Sequence, residues 1–587
     1  MLSYTVATLL GCALAALPAM AQQTPYVFSA LNSASYGANI AQGSLFVVYG
    51  ANFGPTQLVQ ASAYPLPAQL AGTAITVTSG LSSFPCPMVY SIAGAAAAVL
   101  PSNVPPGMAM LTLTYNGQST PFPLPVNVVP STVGIYTLSS SGAGTGVFTG
   151  ADGTEKTFAS SAKNGEIVTA WATGLGAISG PDNNVPSSFP NFPGVEVFVG
   201  TQPANVLYAG RSGCCVALDQ ISFEVPSGVA GCYVPVAVRS GGAMSNFVSI
   251  AVNSGGGPCS DTVPTIPVSI MNQASAGITV KAATLAAGPV SVLRGLGFDV
   301  KPYLAQTLSK LLHAKVSVDD VSKLLLAAQS RNQRDLLHAM IKYGAAWKAL
   351  SPAAKAAVRA ALSANQEGAV ADFGQFNAPG ALAAGVGGLF PSQGTCVPLP
   401  YEYASRSGNG LDAGSSLSLS GAAGSWTLTP SRAGQYQALF GSSPTGPNLP
   451  TGTYTISGAG GHDVNAFSAT LNVGASVLWT NKAAISSIDR SQPLTVTWLG
   501  GPDPGSVVIG GYVDSNTVGL VGFVCTADTS AGSFTIPSFI LSLLPSAATG
   551  GGMFISPHPL SHQVTIPGVD LVYFMDGSSD AKSLVYQ

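Results

Sequence analysis

The residues best equipped for covalent chemistry in this chain are its eight cysteines. Cys12 lies in an apolar N-terminal stretch, and Leu10 two positions before it does not suit a lipid-anchored cysteine. The others are Cys86, Cys214, Cys215, Cys232, Cys259, Cys396 and Cys525, and the four from Cys214 to Cys259 fall within 46 residues. No two have C-x-x-C spacing, so a zinc site is not expected. In an oxidising compartment they are disulfide candidates. Neighbouring side chains on an extended chain point to opposite faces. Cys214 and Cys215 are therefore expected to take different partners, Cys232 and Cys259, in either combination. A bridge from Cys396 to Cys525 would join two predicted domains and leave Cys86 unpaired.

The histidines are His313, His338, His462, His558 and His562. His313 and His338 have no acid-rich motif nearby and read as solvated or packed side chains. His558-x-x-x-His562 would present two imidazoles to a metal only on a helix. Pro557 and Pro559 disfavour one, no third ligand is evident, and a surface loop is expected. Glu166, Glu196 and Glu224 read as isolated, outward-facing acids on strands. Paired carboxylates for glycoside hydrolysis would have to come from distant positions. No G-x-S-x-G elbow is present. Gly174-Leu-Gly176 is followed by no helix, so it reads as a strand-end turn rather than a dinucleotide loop. Asp182-Asn183-Asn184 and Asp503 offer oxygen ligands for calcium without a full set, and read as turns. Trp171, Trp426 and Trp498 lie on alternating strands, where core packing is the default and sugar stacking the alternative. No catalytic, cofactor or metal site is expected.

The elements that would position these side chains follow from composition and pattern. At roughly 150 residues per domain, 587 residues suggest about four domains. Charged residues are 8%, against a usual share of about 25%, so the surface must be built largely from uncharged polar residues and glycine. The net charge is −3 with no basic run, which argues against nucleic acid and a polybasic membrane contact. Val6 to Leu17 has the length of a signal-peptide apolar region, too short to span a bilayer, and Ala19-Met20-Ala21 is a cleavage pattern. Met1 to Thr5 lack the usual Lys or Arg. A secreted or cell-surface chain without a membrane span, cleaved near Ala21, is expected.

The chain repeats itself. Gly43-Ser-Leu-Phe-Val-Val-Tyr-Gly-Ala-Asn-Phe-Gly54 matches Gly165-Glu-Ile-Val-Thr-Ala-Trp-Ala-Thr-Gly-Leu-Gly176 at an offset of 122. Pro101 to Val104 matches Pro226 to Val229 at an offset of 125, and each is followed by an alternating strand and a glycine turn. Short period-two strands between Gly, Pro, Asn and Ser turns read as a β-sandwich. On these residues, roughly 25 to 253 resemble the IPT/TIG group of immunoglobulin-like sandwiches. Gly210-Arg-Ser-Gly-Cys-Cys215, Asp219-Gln-Ile-Ser-Phe-Glu-Val-Pro226, Gly231-Cys-Tyr-Val-Pro-Val236, Ser245-Asn-Phe247 and Gly257-Pro-Cys-Ser260 resemble a family of secreted β-sandwich proteins plentiful in soil acidobacteria. That resemblance resumes near Ala371-Asp-Phe-Gly374. It implies secretion and tandem sandwiches, and no particular activity.

Between 261 and 375 stand twelve Lys or Arg against seven acids, a local charge of about +5. Leu304, Leu308, Leu311 and Leu312 have helical spacing, and Ser317 with Asp320 resembles a capping box. Leu336, Leu337, Met340 and Ile341 follow, with Gly344 as a stop, and Ser351-Pro352 opens another helix. The expected fold is mainly β: tandem immunoglobulin-like β-sandwiches with a small all-α insertion. The expected boundaries are a signal peptide at 1–21, sandwiches at 24–130 and 131–260, and a linker at 261–298. A removable helical insertion at 299–365 and sandwiches at 371–474 and 475–587 complete them. The expected function is non-enzymatic extracellular binding or a structural, adhesion-type role, with an extracellular protein or polysaccharide as partner. A carbohydrate-binding accessory protein and a hydrolase with an unrecognised site are the alternatives.

Overall fold

The computed structural model describes residues 23–189, 191–261, 266–289, 293, 301–313, 315–317, 320–321, 367–376, 391–399, 409–441, 450–501, 505–515, 519–547, 551–558, 564–575 and 579–587. The expected signal peptide, Asp503, His338, His562 and the later helices of the insertion lie outside these residues. What is described is mainly β, in immunoglobulin-like sandwiches.

In the first sandwich, strands Tyr26–Asn32, Leu45–Ala51, Ala95–Val99, Met88–Ile92 and Val59–Gln60 form one sheet in that spatial order. Asn39–Ala41, Leu124–Val129, Gly107–Tyr115, Thr73–Ser79 and Gln69–Leu70 form the facing sheet. Alternation decides what goes inside. Phe46, Val48, Ile75, Val77, Leu111 and Leu113 are buried between the sheets. Each such side chain contributes about 1.5–3 kcal/mol.

The second sandwich repeats this order, as the matched motifs require. Leu45–Ala51 corresponds to Ile167–Thr173, and Gly107–Tyr115 to Gly231–Ser240. One long strand, Gln202–Arg211, pairs with Glu196–Val199 through its first residues and with Asp219–Glu224 through the rest, so it passes from one layer to the other. The repeated glycines are geometric necessities. Gly54 has φ +78, and a Cβ there would lie 2.0 Å from the Ile92 carbonyl oxygen.

The C-terminal half departs from a simple tandem. Val280–Pro289, inside the span expected as a linker, pairs over ten residues with Glu367–Phe376 and runs parallel to Leu571–Met575. These strands extend the sheet that also holds Leu417–Gly421, Gly424–Arg432, Gln435–Gly441, Gly452–Gly458 and Phe467–Val473. Val280, Ala282 and Ala286 face one core; Ala283, Leu285 and Ala287 face another. The Val280–Pro289 strand is thus a wall between two cores. Cys396–Leu399 pairs with Gly519–Asp528, beside Ser506–Ser515, Gly551–Pro557 and Asp580–Ser583. Their core includes the buried Trp479 and Trp498.

Of the expected insertion, helix Lys301–Leu312 is described, and its Ala305, Leu308 and Leu312 are buried in the core beside Val280. The capping arrangement is present. The Asp320 amide donates to Ser317 Oγ at 3.1 Å, and the Ser317 amide to Asp320 Oδ2 at 3.1 Å. Among the described residues no helix is long and apolar enough to cross a membrane.

Candidate functional site

The junction of the first two sandwiches gathers the most distinctive side chains. Arg211 ends its strand directly opposite Asp219, which begins the next. Both are buried, and their guanidinium and carboxylate are paired. Arg211 Nη2 also donates to the Gly43 carbonyl at 2.8 Å and the Gly176 carbonyl at 2.5 Å. One charge therefore holds a motif glycine from each repeat copy. Position 43 favours glycine, because its φ is +66 and a Cβ there would meet that nitrogen at 2.7 Å and the Gly176 carbonyl oxygen at 3.0 Å. Asp219 also accepts the Leu175 amide at 2.9 Å. Burial pushes its carboxyl above the ordinary value, and Arg211 opposes this. Phe192 lies against the guanidinium, 5.8 Å from ring centre to carbon.

Further ties surround this pair. Asp182 accepts the Ser102 amide at 2.7 Å and the Ser102 hydroxyl at 2.6 Å. The Leu66 amide donates to the Asn183 carbonyl at 2.6 Å. Thr173 Oγ1 accepts the Leu45 amide at 3.0 Å and donates to the Ala217 carbonyl at 2.8 Å. Val216 and Ala217 pack on Leu66 and Val99, covering part of the outer face of the Leu45–Ala51 sheet.

Another part of that outer face carries tyrosines. Phe46 and Val48 point inward, which turns Tyr49 outward. Tyr49 stands opposite Ala95 and Tyr90 opposite Ala97, on the same face. Tyr26 and Phe28, on the edge strand, are 47% and 60% exposed, with ring centres 5.2 Å apart. Tyr36 has φ +58 and donates its hydroxyl to the Ser140 carbonyl at 2.7 Å. Tyr136 of the second sandwich shares a 2.8 Å hydrogen bond with Ser33 Oγ. Partial burial, then the Tyr49 and Tyr90 phenols, push the Tyr36 hydroxyl up to about 12. Burial, then Tyr49, also raises Tyr90.

Several expectations are corrected here. The structure bonds Cys214 to Cys215, and Cys232 to Cys259. The alternation argument fails because the strand ends at Arg211 and residues 213–217 are bend and turn, so neighbouring side chains do not take opposite faces. Cys232–Cys259 ties the Gly231–Ser240 strand to the tail of its sandwich. Cys396 and Cys525 are bonded, and Cys86 is a buried free thiol. Asp182 and Asn183 lie in a turn, as expected, and Asp182 ties that turn to Ser102. Glu166 is not isolated: it lies 2.5 Å from Lys156. Glu196 takes a two-pronged contact from Arg239, while Glu224 is exposed as expected. His558 is buried at a strand end, not in a surface loop, because its backbone amide continues the ladder to the Ser506 carbonyl. His313 is exposed just beyond its helix, and His462 is exposed and hydrogen-bonded to Asp463. Trp498 is core; Trp171 and Trp426 are half-buried. Gly174 and Gly176 end their strand as a turn. Among the described residues no three His, Cys, Asp or Glu side chains converge as a metal site.

Sequence reasoning missed Arg211 with Asp219 and the tyrosine face. A signal for the face was present. None of the first 151 residues is Asp, Glu, Lys, Arg or His, so the whole first sandwich lacks a charged side chain.

The elements together define a mainly β protein of several immunoglobulin-like sandwiches. No protein-family model and no curated protein matches the chain. Among solved structures it is similar to a gamma-CGTase from alkalophilic Bacillus clarkii, at 11% identity over 42% of this chain and 25% of that one, TM-score 0.14. It is similar to domains FN1 to FN3 of chicken contactin, at 8% identity over 75% of this chain and 98% of that one, TM-score 0.14. It is also similar to SGBP-B of the Bacteroides ovatus mixed-linkage glucan utilization locus, solved with a mixed-linkage heptasaccharide. That match has 11% identity over 93% of this chain and 98% of that one, TM-score 0.12. Likenesses this distant carry no argument about the activity of this chain.

Proposed function

We propose that the chain is a secreted, non-enzymatic binding or structural protein that acts outside the cell, its first two sandwiches of IPT/TIG type. The observation that carries this reading is an uncharged, aromatic-bearing sandwich locked to its neighbour through Arg211, Asp219 and Asp182. Exposed aromatic rings such as Tyr26 and Phe28, beside the half-buried Tyr49 and Tyr90, suit an interaction site, and a fixed junction keeps them pre-organised. Three disulfides suit an oxidising compartment. The mature chain starts at Gln22, after the Ala19-Met20-Ala21 pattern. The test is fractionation of a producing culture, N-terminal sequencing of the exported chain, and incubation of that chain with washed extracellular polymers and cell surfaces. Recovery outside the cell, adherence, and unaltered polymer are expected. An intact Met1 in the exported fraction, or release of soluble products from the polymer, overturns the reading.

A further inference from the structure

The first sandwich offers its partner a particular chemistry. Its edge strand carries Tyr26 and Phe28 in the open; its next strands carry Tyr49 and Tyr90 across the short side chains of Ala95 and Ala97. Residues facing each other across strands, and diagonal neighbours, are close enough for rings to meet. Register places Tyr26 opposite Ala51 and Tyr49 opposite Ser29, so the edge rings continue the tyrosine face. Tyr36 and Tyr136 close its other side, both anchored by their hydroxyls to main chain or serine across the junction. Tyr36 holds a left-handed backbone, φ +58, which is rare for a bulky side chain and persists only where its surroundings impose it.

Charge selects the ligand class. The sheet and its sandwich hold no ionisable group other than phenols and the buried Cys86 thiol. At the junction Arg211 and Asp219 are buried, and Asp182, an anion, is held by Ser102. A phosphorylated, sulfated or uronic polymer would find no cation to pair with. A membrane surface would find no basic residue to steer it. Phenols combine a flat apolar ring with a hydroxyl that donates and accepts. That pair of properties matches a ligand with C–H faces and many neutral hydroxyls.

We infer that the outer face of the first sandwich, formed by the exposed Tyr26 and Phe28 with the half-buried Tyr49 and Tyr90 and bordered by Tyr36, binds an uncharged polysaccharide chain. The rings stack on the C–H faces of successive sugars, and the phenols bond their hydroxyls. This inference rests on the binding reading above and names its ligand.

The test uses the full exported chain in pull-downs with amorphous cellulose, chitin and granular starch, and with a calcium pectate gel as the acidic counterpart. Retention is expected on at least one neutral polymer and not on pectate. That retention should hold from about 0.05 to about 1 M salt, since no ion pair is screened. Y26A with F28A, both exposed and safe for folding, should weaken retention about tenfold, as removal of anchor rings does. Y49F with Y90F, which deletes only hydroxyls, should weaken it several-fold. M108A with M110A, exposed on the opposite sheet, should leave it unchanged. Binding to none of the three neutral polymers overturns the inference, as does salt-sensitive binding or binding indifferent to Y26A with F28A. A chain that adheres to surface proteins but to no polysaccharide keeps the binding reading and removes this one.

Discussion

Arg211 and Asp219 are both wholly buried, and each makes the other tolerable. A lone buried charge costs several kcal/mol, so removing one partner is worse than removing both. D219A should therefore destabilise the first two sandwiches by about 3–5 kcal/mol, while R211M with D219L should recover much of that loss. Urea unfolding followed by hydrogen exchange at Leu45–Ala51 and Ile167–Thr173 checks this; equal losses in the single and double variants would refute it. His558 supplies a second residue-scale prediction. Burial lowers its imidazole to about 3, whereas the unfolded chain protonates near 6.5. The stability it supports is present above pH 6.5 and is lost as pH falls from there towards 3, by about 1.4 kcal/mol per pH unit. Hydrogen exchange at Gly551–Pro557 should accelerate with acid, and H558Q should flatten that slope. At this scale the sequence was only partly legible. Ser317 and Asp320 could be paired because a capping box is local. Arg211 and Asp219 could not, because only the register of a hairpin brings them face to face. Cys214 and Cys215 defeat the alternation argument, which holds only on an extended chain, because 213–217 are bend and turn.

Strands with one buried face declare themselves by alternation, and strands buried on both faces do not. Phe467–Val473 alternates buried and exposed without exception, and its place was readable. Val280–Pro289, with Val280, Ala282 and Ala286 in one core and Ala283, Leu285 and Ala287 in another, has no polar beat, so its segment looked like linker. The same two strands qualify the removable insertion. Pro289 and Glu367 are directly paired, so a short Gly/Ser turn can join them, and the closure cost is small. Yet Leu308, Leu312, Val316 and Val321 belong to the core beside Val280. Deleting 299–365 should therefore leave the first two sandwiches folded while exposing that core. L308A alone should cost about 2–5 kcal/mol. Exchange protection of Val280–Pro289 reports both; unchanged protection in the deletion variant would mean that the helix contributes nothing to the core.

Among the described residues a tandem pair of sandwiches precedes sheets whose strands interlace. The first two sandwiches are each continuous in sequence, which is why self-comparison reveals them. The later sheets are not: Cys396–Leu399 crosses to pair with Gly519–Asp528, and Leu571–Met575 returns to Val280–Pro289. A repeat search is blind to strands exchanged over such distances. The Cys396–Cys525 bridge closes a separation of 129 residues that contains the strands from Asn409–Gly410 to Phe467–Val473. Constraining so long a loop in the unfolded chain contributes about 4–5 kcal/mol. Expressing 475–587 alone removes strand Cys396–Leu399, leaves Cys525 without its partner and opens the edge of Gly519–Asp528 to other chains. Expressing 266–587 keeps both crossings. The longer fragment should be monomeric with its 396–525 bridge formed, and the shorter one should aggregate with an alkylatable Cys525. Size-exclusion chromatography and thiol labelling of the two fragments decide it. A soluble, cooperatively folded 475–587 would mean that the crossing strand is an ornament of the fourth sandwich rather than part of its frame.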